Sequence, residues 1–139
     1  MPASALVDTG AILALLDRDD RWHQVCVEAF PSFRLPLLTS PAVLTELFHL
    51  VGDTRYETKA AWSFLRSVAV RVLAIDEGDI AAIETLMEKY HDRPMDFADA
   101  TLVHLAGRES VTTVFTIDHD DFETYRIGGR RRFRITPSR

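Results

Sequence analysis

Short apolar runs alternating with stretches of helical period predict an α/β fold, with a mostly parallel central sheet covered by helices on both faces. Three observations carry that expectation. Apolar runs of strand length occupy 5–7, 35–39, 68–75 and 111–117. Between them apolar residues recur at three- and four-residue spacing, and Ser, Asp, Pro and Gly stand where helices should start and stop. The 139 residues, 47% hydrophobic and 27% charged, suit one compact unit, so a single domain over 1–139 is expected.

The elements follow in order. The first run ends at Asp8 and leads into Ile12, Leu13, Leu15 and Leu16, an apolar cluster of helical type closed by Asp17-Arg18-Asp19-Asp20. Trp22, Val25, Cys26, Ala29 and Phe30 share one helix face, stopped by Pro31. Pro36 marks the start of the second strand. Ser40-Pro41 is an N-cap followed by proline at the first helical position, where a missing N–H costs nothing. That helix runs through Val43, Leu44, Leu47 and Phe48 to Gly52. Thr54-Arg55-Tyr56-Glu57 has capping-box spacing and opens another, through Ala60, Ala61, Phe64 and Leu65. The run 68–75 is largely β-branched. Ile80, Ile83, Leu86 and Met87 mark a helix ending near Tyr90-His91, Pro94 breaks the chain, and 98–106 is helical. The strong strand 111–117 closes in a charged turn, Asp118-His119-Asp120-Asp121, and beyond Gly128-Gly129 residues 132–135 alternate weakly, as an edge strand would.

Composition narrows the function. No apolar run approaches the ~20 residues of a membrane span, and no basic cluster precedes an apolar stretch at the N-terminus, so no secretory leader is expected. One cysteine, Cys26, excludes an internal disulfide framework and, with five scattered histidines, a Cys/His zinc site. A reducing cytoplasm is the expected compartment. The net charge of −5 is unevenly spread: residues 126–139 hold six arginines and no acid, leaving −11 on the rest. Such a strip, centred on Arg130, Arg131, Arg132 and Arg134, is either a solvated tail or a surface for phosphate or a partner protein.

Acids carry the strongest signal. Asp8 and Asp118 each follow an apolar strand run, and in an open parallel sheet functional groups collect beyond the carboxyl ends of the strands. Glu46 and Asp99 sit within apolar helices, with no Lys or Arg within four residues of either. An unpaired carboxylate buried there loses several kcal/mol of hydration, so each must reach solvent, a distant cation or a metal. Asp96 either shares a helical face with Asp99 or caps the helix. Converging carboxylates with few histidines suit Mg²⁺ or Mn²⁺ rather than Zn²⁺, and such a cage supports attack of a metal-activated water on a phosphodiester.

Other motifs compete and fall short. Asp8-Thr9-Gly10 matches the aspartic-protease signature, but that chemistry needs two such aspartates on a β-rich scaffold, and Gly10 leads into helical sequence. Glu46-Leu47-Phe48-His49 has the Glu-x-x-His spacing of di-iron bundles, which need it twice. No G-x-S-x-G, P-loop or G-x-G-x-x-G occurs, and Cys26 reads as packing.

With the acids placed, the chain resembles the PIN-domain ribonucleases, and closely the VapC-type toxins of bacterial toxin–antitoxin pairs. The residues are Val7-Asp8-Thr9, Ser40-Pro41-Ala42-Val43-Leu44-Thr45-Glu46-Leu47, Met95-Asp96-Phe97-Ala98-Asp99-Ala100 and Phe115-Thr116-Ile117-Asp118-His119-Asp120-Asp121-Phe122. The resemblance implies a Rossmann-like three-layer sandwich of about five strands in the order 3-2-1-4-5. It implies a four-acid site of Asp8, Glu46, Asp99 and Asp118, with Asp8 and Asp99 the principal metal ligands. Thr9 and Thr116 would orient carboxylates or the scissile phosphate, and Asp96 would support or cap. The implied activity is a Mg²⁺- or Mn²⁺-dependent endoribonuclease toxin, homodimeric and inhibited by a cognate VapB-type antitoxin. A non-catalytic PIN-like module binding RNA or protein through the arginine strip is the alternative. Asp118 is preferred over Asp120 for its proximity to the strand and its Thr-x-Asp spacing.

Overall fold

The structure, a computed structural model, describes residues 5–52 and 55–139. The chain opens with strand β1 (Ala5–Val7), helices α1 (Thr9–Leu16) and α2 (His23–Ala29), strand β2 (Leu37–Thr39), helices α3 (Pro41–Leu50) and α4 (Arg55–Leu65), and strand β3 (Val70–Val72). Helices α5 (Ile80–Lys89) and α6 (Phe97–Arg108), strand β4 (Thr113–Phe115) and helix α7 (His119–Thr124) follow. Strands β5 (Arg126–Ile127), β6 (Arg131–Arg132) and β7 (Arg134–Thr136) complete it. The central sheet runs β3-β2-β1-β4-β7 with every neighbouring pair parallel. This is the expected order, its fifth place taken by the seventh strand in sequence.

The intervening strands explain that count. β5 and β6 pair antiparallel as a small ribbon apart from the main sheet. The turn between them uses Gly128 and Gly129 at φ 60° and 79°, left-handed conformations that glycine adopts without steric penalty. The ribbon carries the chain back to the start of β7, whose Arg134 pairs with Thr113 at the beginning of β4.

Helix ends are set by the residues that sequence logic picks out. The Ser40 hydroxyl accepts the Val43 N–H at 3.3 Å, and Pro41 fills the first helical position of α3. Asp96 and Asp118 cap α6 and α7 through the N–H groups of Asp99 and Asp121. α6 ends in a Schellman motif: the Val111 N–H reaches the Ala106 carbonyl at 2.9 Å, the Ser110 N–H reaches Gly107, and Ser110 takes φ 57°. The chain is thereby turned straight into β4. The capping box expected at Thr54–Glu57 begins outside the described residues.

The strands are shorter than their apolar runs. Ser67 accepts the Ala69 N–H and makes a turn that leaves Val68 exposed, so β3 starts at Val70. β1 is buried throughout and lies at the centre of the sheet, as an uninterrupted apolar run should. Leu6, Val7, Ile12, Leu37, Val43, Leu47, Leu102, Leu105, Val114 and Phe115 are fully or almost fully enclosed, each side chain of this size contributing about 1.5–3 kcal/mol on burial. Cys26 is part of that core, and burial pushes its thiol up to about 11. No described helix is long and apolar enough to cross a membrane.

Candidate active site

Parallel pairing sets the carboxyl ends of β1, β2 and β4 along one rim of the sheet. Val7 lies beside Phe115, so the residues just after them, Asp8 and Thr116, emerge together. The Asp8 N–H donates to the Phe115 carbonyl at 3.0 Å, continuing the ladder one residue past β1. Close packing keeps α1 against this rim: a Cβ at Gly10 would stand 2.9 Å from the Ile117 side chain. The aspartic-protease reading ends here, because Asp8-Thr9-Gly10 opens a helix beside a parallel sheet.

Asp8 is held on both carboxylate oxygens. Oδ1 accepts the Thr9 N–H at 2.8 Å, and Oδ2 accepts the Thr116 hydroxyl at 3.1 Å. Thr116 Oγ1 in turn accepts the Asp118 N–H at 3.0 Å, so one hydroxyl fixes the carboxylate of Asp8 and the backbone of Asp118. The Thr9 hydroxyl points elsewhere, toward the Val43 carbonyl of α3. Asp8 is only 6% exposed. Burial pushes it up to about 7, the two donated bonds oppose that rise, and the negative charges of Glu46 and Asp118 add to it.

Asp99 enters the same electrostatic neighbourhood from the first turn of α6. Its Oδ2 accepts the hydroxyl of the fully buried Tyr125 at 2.8 Å. Burial pushes Asp99 up to about 8, reinforced by the charges of Asp8, Asp96 and Asp118 and opposed by the tyrosine bond. Burial and the adjoining carboxylate likewise raise the Tyr125 hydroxyl. Helices α3 and α6 are tied above the sheet by a 2.7 Å hydrogen bond between the Ser40 and Thr101 hydroxyls. Asp118 is half-buried, and burial with the neighbouring Asp121 raises it to about 6. Glu46 is half-buried, on the margin of the rim rather than enclosed by apolar side chains as its flanking residues suggested.

The four acids expected from sequence are therefore in one electrostatic neighbourhood, and none has a Lys, Arg or His within ion-pair distance among the described residues. Asp121 joins them. Ligand atoms of Asp99, Asp118 and Asp121 lie within 4.8 Å of one another. The donor set is all carboxylate oxygen, and burial first, with repulsion between the acids second, raises Asp8, Asp99 and Asp118. That is the environment a hard divalent cation relieves, and the residues fit Mg²⁺ or Mn²⁺.

Three residues of this rim escape sequence reading. Asp121 lies three residues after Asp118, a helical spacing that only the short α7 makes meaningful. It meets Arg93, from the turn before α6, in a 2.8 Å ion pair. Tyr125 reaches Asp99 across 26 residues, a contact with no local signal. Asp96 is exposed and serves as a cap. Asp120 points outward to an ion pair with Arg139, so the acids of that turn that lie at the rim are Asp118 and Asp121. His49 is exposed, away from any Glu-x-x-His metal geometry. Arg130 and Arg131 lie by the last turn of α6 and the start of β4, at the opposite end of the sheet from the acids. Arg132 and Arg134 are exposed on β6 and at the start of β7.

A parallel 3-2-1-4 core with acids gathered at its carboxyl rim is the arrangement of the PIN domain, and residues 5–127 match that family. The chain belongs to the PIN domain family. It is 33% identical to ribonuclease VapC26 of Mycobacterium tuberculosis over 135 residues, 95% of this chain and 99% of the relative. Its fold matches the crystal structure of Mycobacterium tuberculosis VapC20, a Sarcin-Ricin loop cleaving toxin, with a TM-score of 0.73 at 24% identity, covering 84% of this chain and 92% of the other.

Proposed function

We propose that this chain is a Mg²⁺- or Mn²⁺-dependent endoribonuclease toxin of the VapC type, acting in the cytoplasm as a homodimer and silenced by a cognate VapB-type antitoxin. The observation that carries the reading is the desolvated carboxylate rim: Asp8 and Asp99 are almost fully buried, raised to about 7 and about 8, and without a cationic partner among the described residues. Burying such groups opposes folding, and a binding role is the physical reason to retain them. The likeness to ribonuclease VapC26 along nearly all of both chains supports RNA as the substrate.

Asp8 and Asp99 would be the principal ligands, with Glu46 and Asp118 completing the set and Asp121 beside them. A divalent cation held there would neutralise this charge and supply Lewis-acid activation of water and of the scissile phosphate. The chain's own residues prepare the site. The Thr9 N–H and the Thr116 hydroxyl each engage one oxygen of Asp8 and so fix the plane of its carboxylate. Tyr125 occupies one oxygen of Asp99 and leaves the other to bind.

The test is cleavage of total cellular RNA by wild type and Asp8→Asn, with Mn²⁺ or with chelator. Discrete fragments from wild type plus metal alone are expected, together with growth arrest on expression without antitoxin. Equal cleavage by Asp8→Asn would overturn the site assignment, and cleavage in chelator would overturn the metal dependence.

A further inference from the structure

The arginines of the C-terminal segment divide into two groups. Arg126 donates to the carbonyls of Glu123, Thr124 and Tyr125 at the end of α7, and Arg139 pairs with Asp120 and Glu123. Arg130, Arg131, Arg132 and Arg134 are exposed, with no side-chain partner among the described residues. Two of these line a groove of about 570 Å³ between the end of α6 and the β5–β6 ribbon, with Gly107, Ser110, Thr112 and Gly128. A second groove of about 470 Å³ lies across the same glycine turn, between α5 and α6, and shares Gly107 and Gly128 with the first. Lys89 lines it, its ammonium 3.9 Å from where a Cβ on Gly129 would stand. Among the described residues neither groove is lined by an acid.

We infer that these adjoining grooves form a second RNA-contact surface, with Arg130 and Arg131 receiving backbone phosphates at the end of the sheet opposite the acidic rim and Lys89 receiving one across the glycine turn. This rests on the ribonuclease reading and deepens it. The rim repels RNA until a cation is bound, so affinity for the rest of the strand must come from positive charge elsewhere. Asp99 and Gly107 are eight residues apart on α6, about 12 Å along its axis, a span that a few nucleotides cover. Unpaired guanidinium groups, flanking hydroxyls and exposed glycine backbone are the groups that contact phosphate. A protein partner would want a buried aromatic anchor, and no aromatic among the described residues lines either groove.

The experiment measures anisotropy of a labelled RNA hairpin from 50 to 200 mM salt, in the Asp8→Asn background so that cleavage does not interfere. Arg130→Ala/Arg131→Ala is compared with Arg130→Lys/Arg131→Lys. Loss of two phosphate contacts lowers the slope of log affinity against log salt by about 2, so the variant's change in affinity across that range is about tenfold smaller. The lysine pair keeps the slope. Equal affinity and slope for the alanine pair would overturn the inference, as would unchanged RNA binding with loss of poly-glutamate binding, which marks a protein-facing surface. Because the readout needs no cleavage, a wild type that fails to cut RNA would sink the proposed activity while leaving this test decisive for the grooves.

Discussion

Removing the charge of Asp8 should stabilise the protein in chelator, even as it destroys activity. In the fold the carboxyl titrates near 7 against an ordinary 3.8, chiefly because it is buried. The folded state therefore retains a proton that the unfolded chain has already lost, and stability falls as pH rises from about 4 to about 7. By pH 8 the ionised group opposes folding by about 4 kcal/mol. Asparagine at position 8 keeps a carbonyl for the Thr9 N–H and turns an amide toward Thr116, at a cost of about 1 kcal/mol in poorer hydrogen bonds. The net gain for Asp8→Asn is about 3 kcal/mol at pH 8, or roughly 10 °C in Tm for a chain of this length. At pH 5 the charge penalty falls to between about 1 and 2 kcal/mol, so the two proteins should melt within a few degrees of each other. Mn²⁺ at about 1,000 times its Kd adds about 4 kcal/mol to the wild type and reverses the order. Calorimetry at the two pH values in chelator, and at pH 8 with Mn²⁺, reads all three differences. An Asp8→Asn protein no more stable than wild type at pH 8 in chelator would refute the claim that this carboxylate is held against its own hydration.

Other substitutions probe the surroundings of the site. Tyr125→Phe keeps the ring in the core and removes the donor to Asp99, so it should lower stability by about 1–2 kcal/mol and weaken Mn²⁺ binding in a direct titration. Ser40→Ala removes the cap of α3 and the partner of Thr101, and denaturant unfolding should show a loss of about 1–2 kcal/mol. Asp120→Asn, whose side chain meets only the exposed Arg139, should leave RNA cleavage at the wild-type rate and the melting temperature essentially unchanged. A loss of cleavage there would reassign the acid of that turn.

The legible part of this protein is the part written locally. Apolar runs ending in an acid give away Asp8 and Asp118, because a parallel sheet puts strand ends on one rim. Glu46 and Asp99 stand out because their neighbours are apolar, although only Asp99 is in fact enclosed. Ser40-Pro41 announces its helix by cap chemistry alone. Contacts between distant segments were not legible. Arg93 meets Asp121 across 28 residues and Tyr125 meets Asp99 across 26, and neither pair leaves a local pattern. The arginine strip was plain as charge, but its grooves exist only because the Gly128-Gly129 turn folds β5 and β6 back beside α6. The edge strand expected over 132–135 is present but begins at Arg134, because Arg132 belongs to the ribbon.

Acids brought together at one rim of the sheet should hold a divalent cation. Calorimetric titration of Mn²⁺ into wild type and Asp99→Asn, repeated in buffers of different ionisation enthalpy, tests it most directly. Wild type should bind and release protons between about pH 6 and 8, as carboxyls held at about 7 and about 8 give them up to the metal, while Asp99→Asn should bind far more weakly. Equal binding by the two proteins, or binding without proton release, would contradict the account.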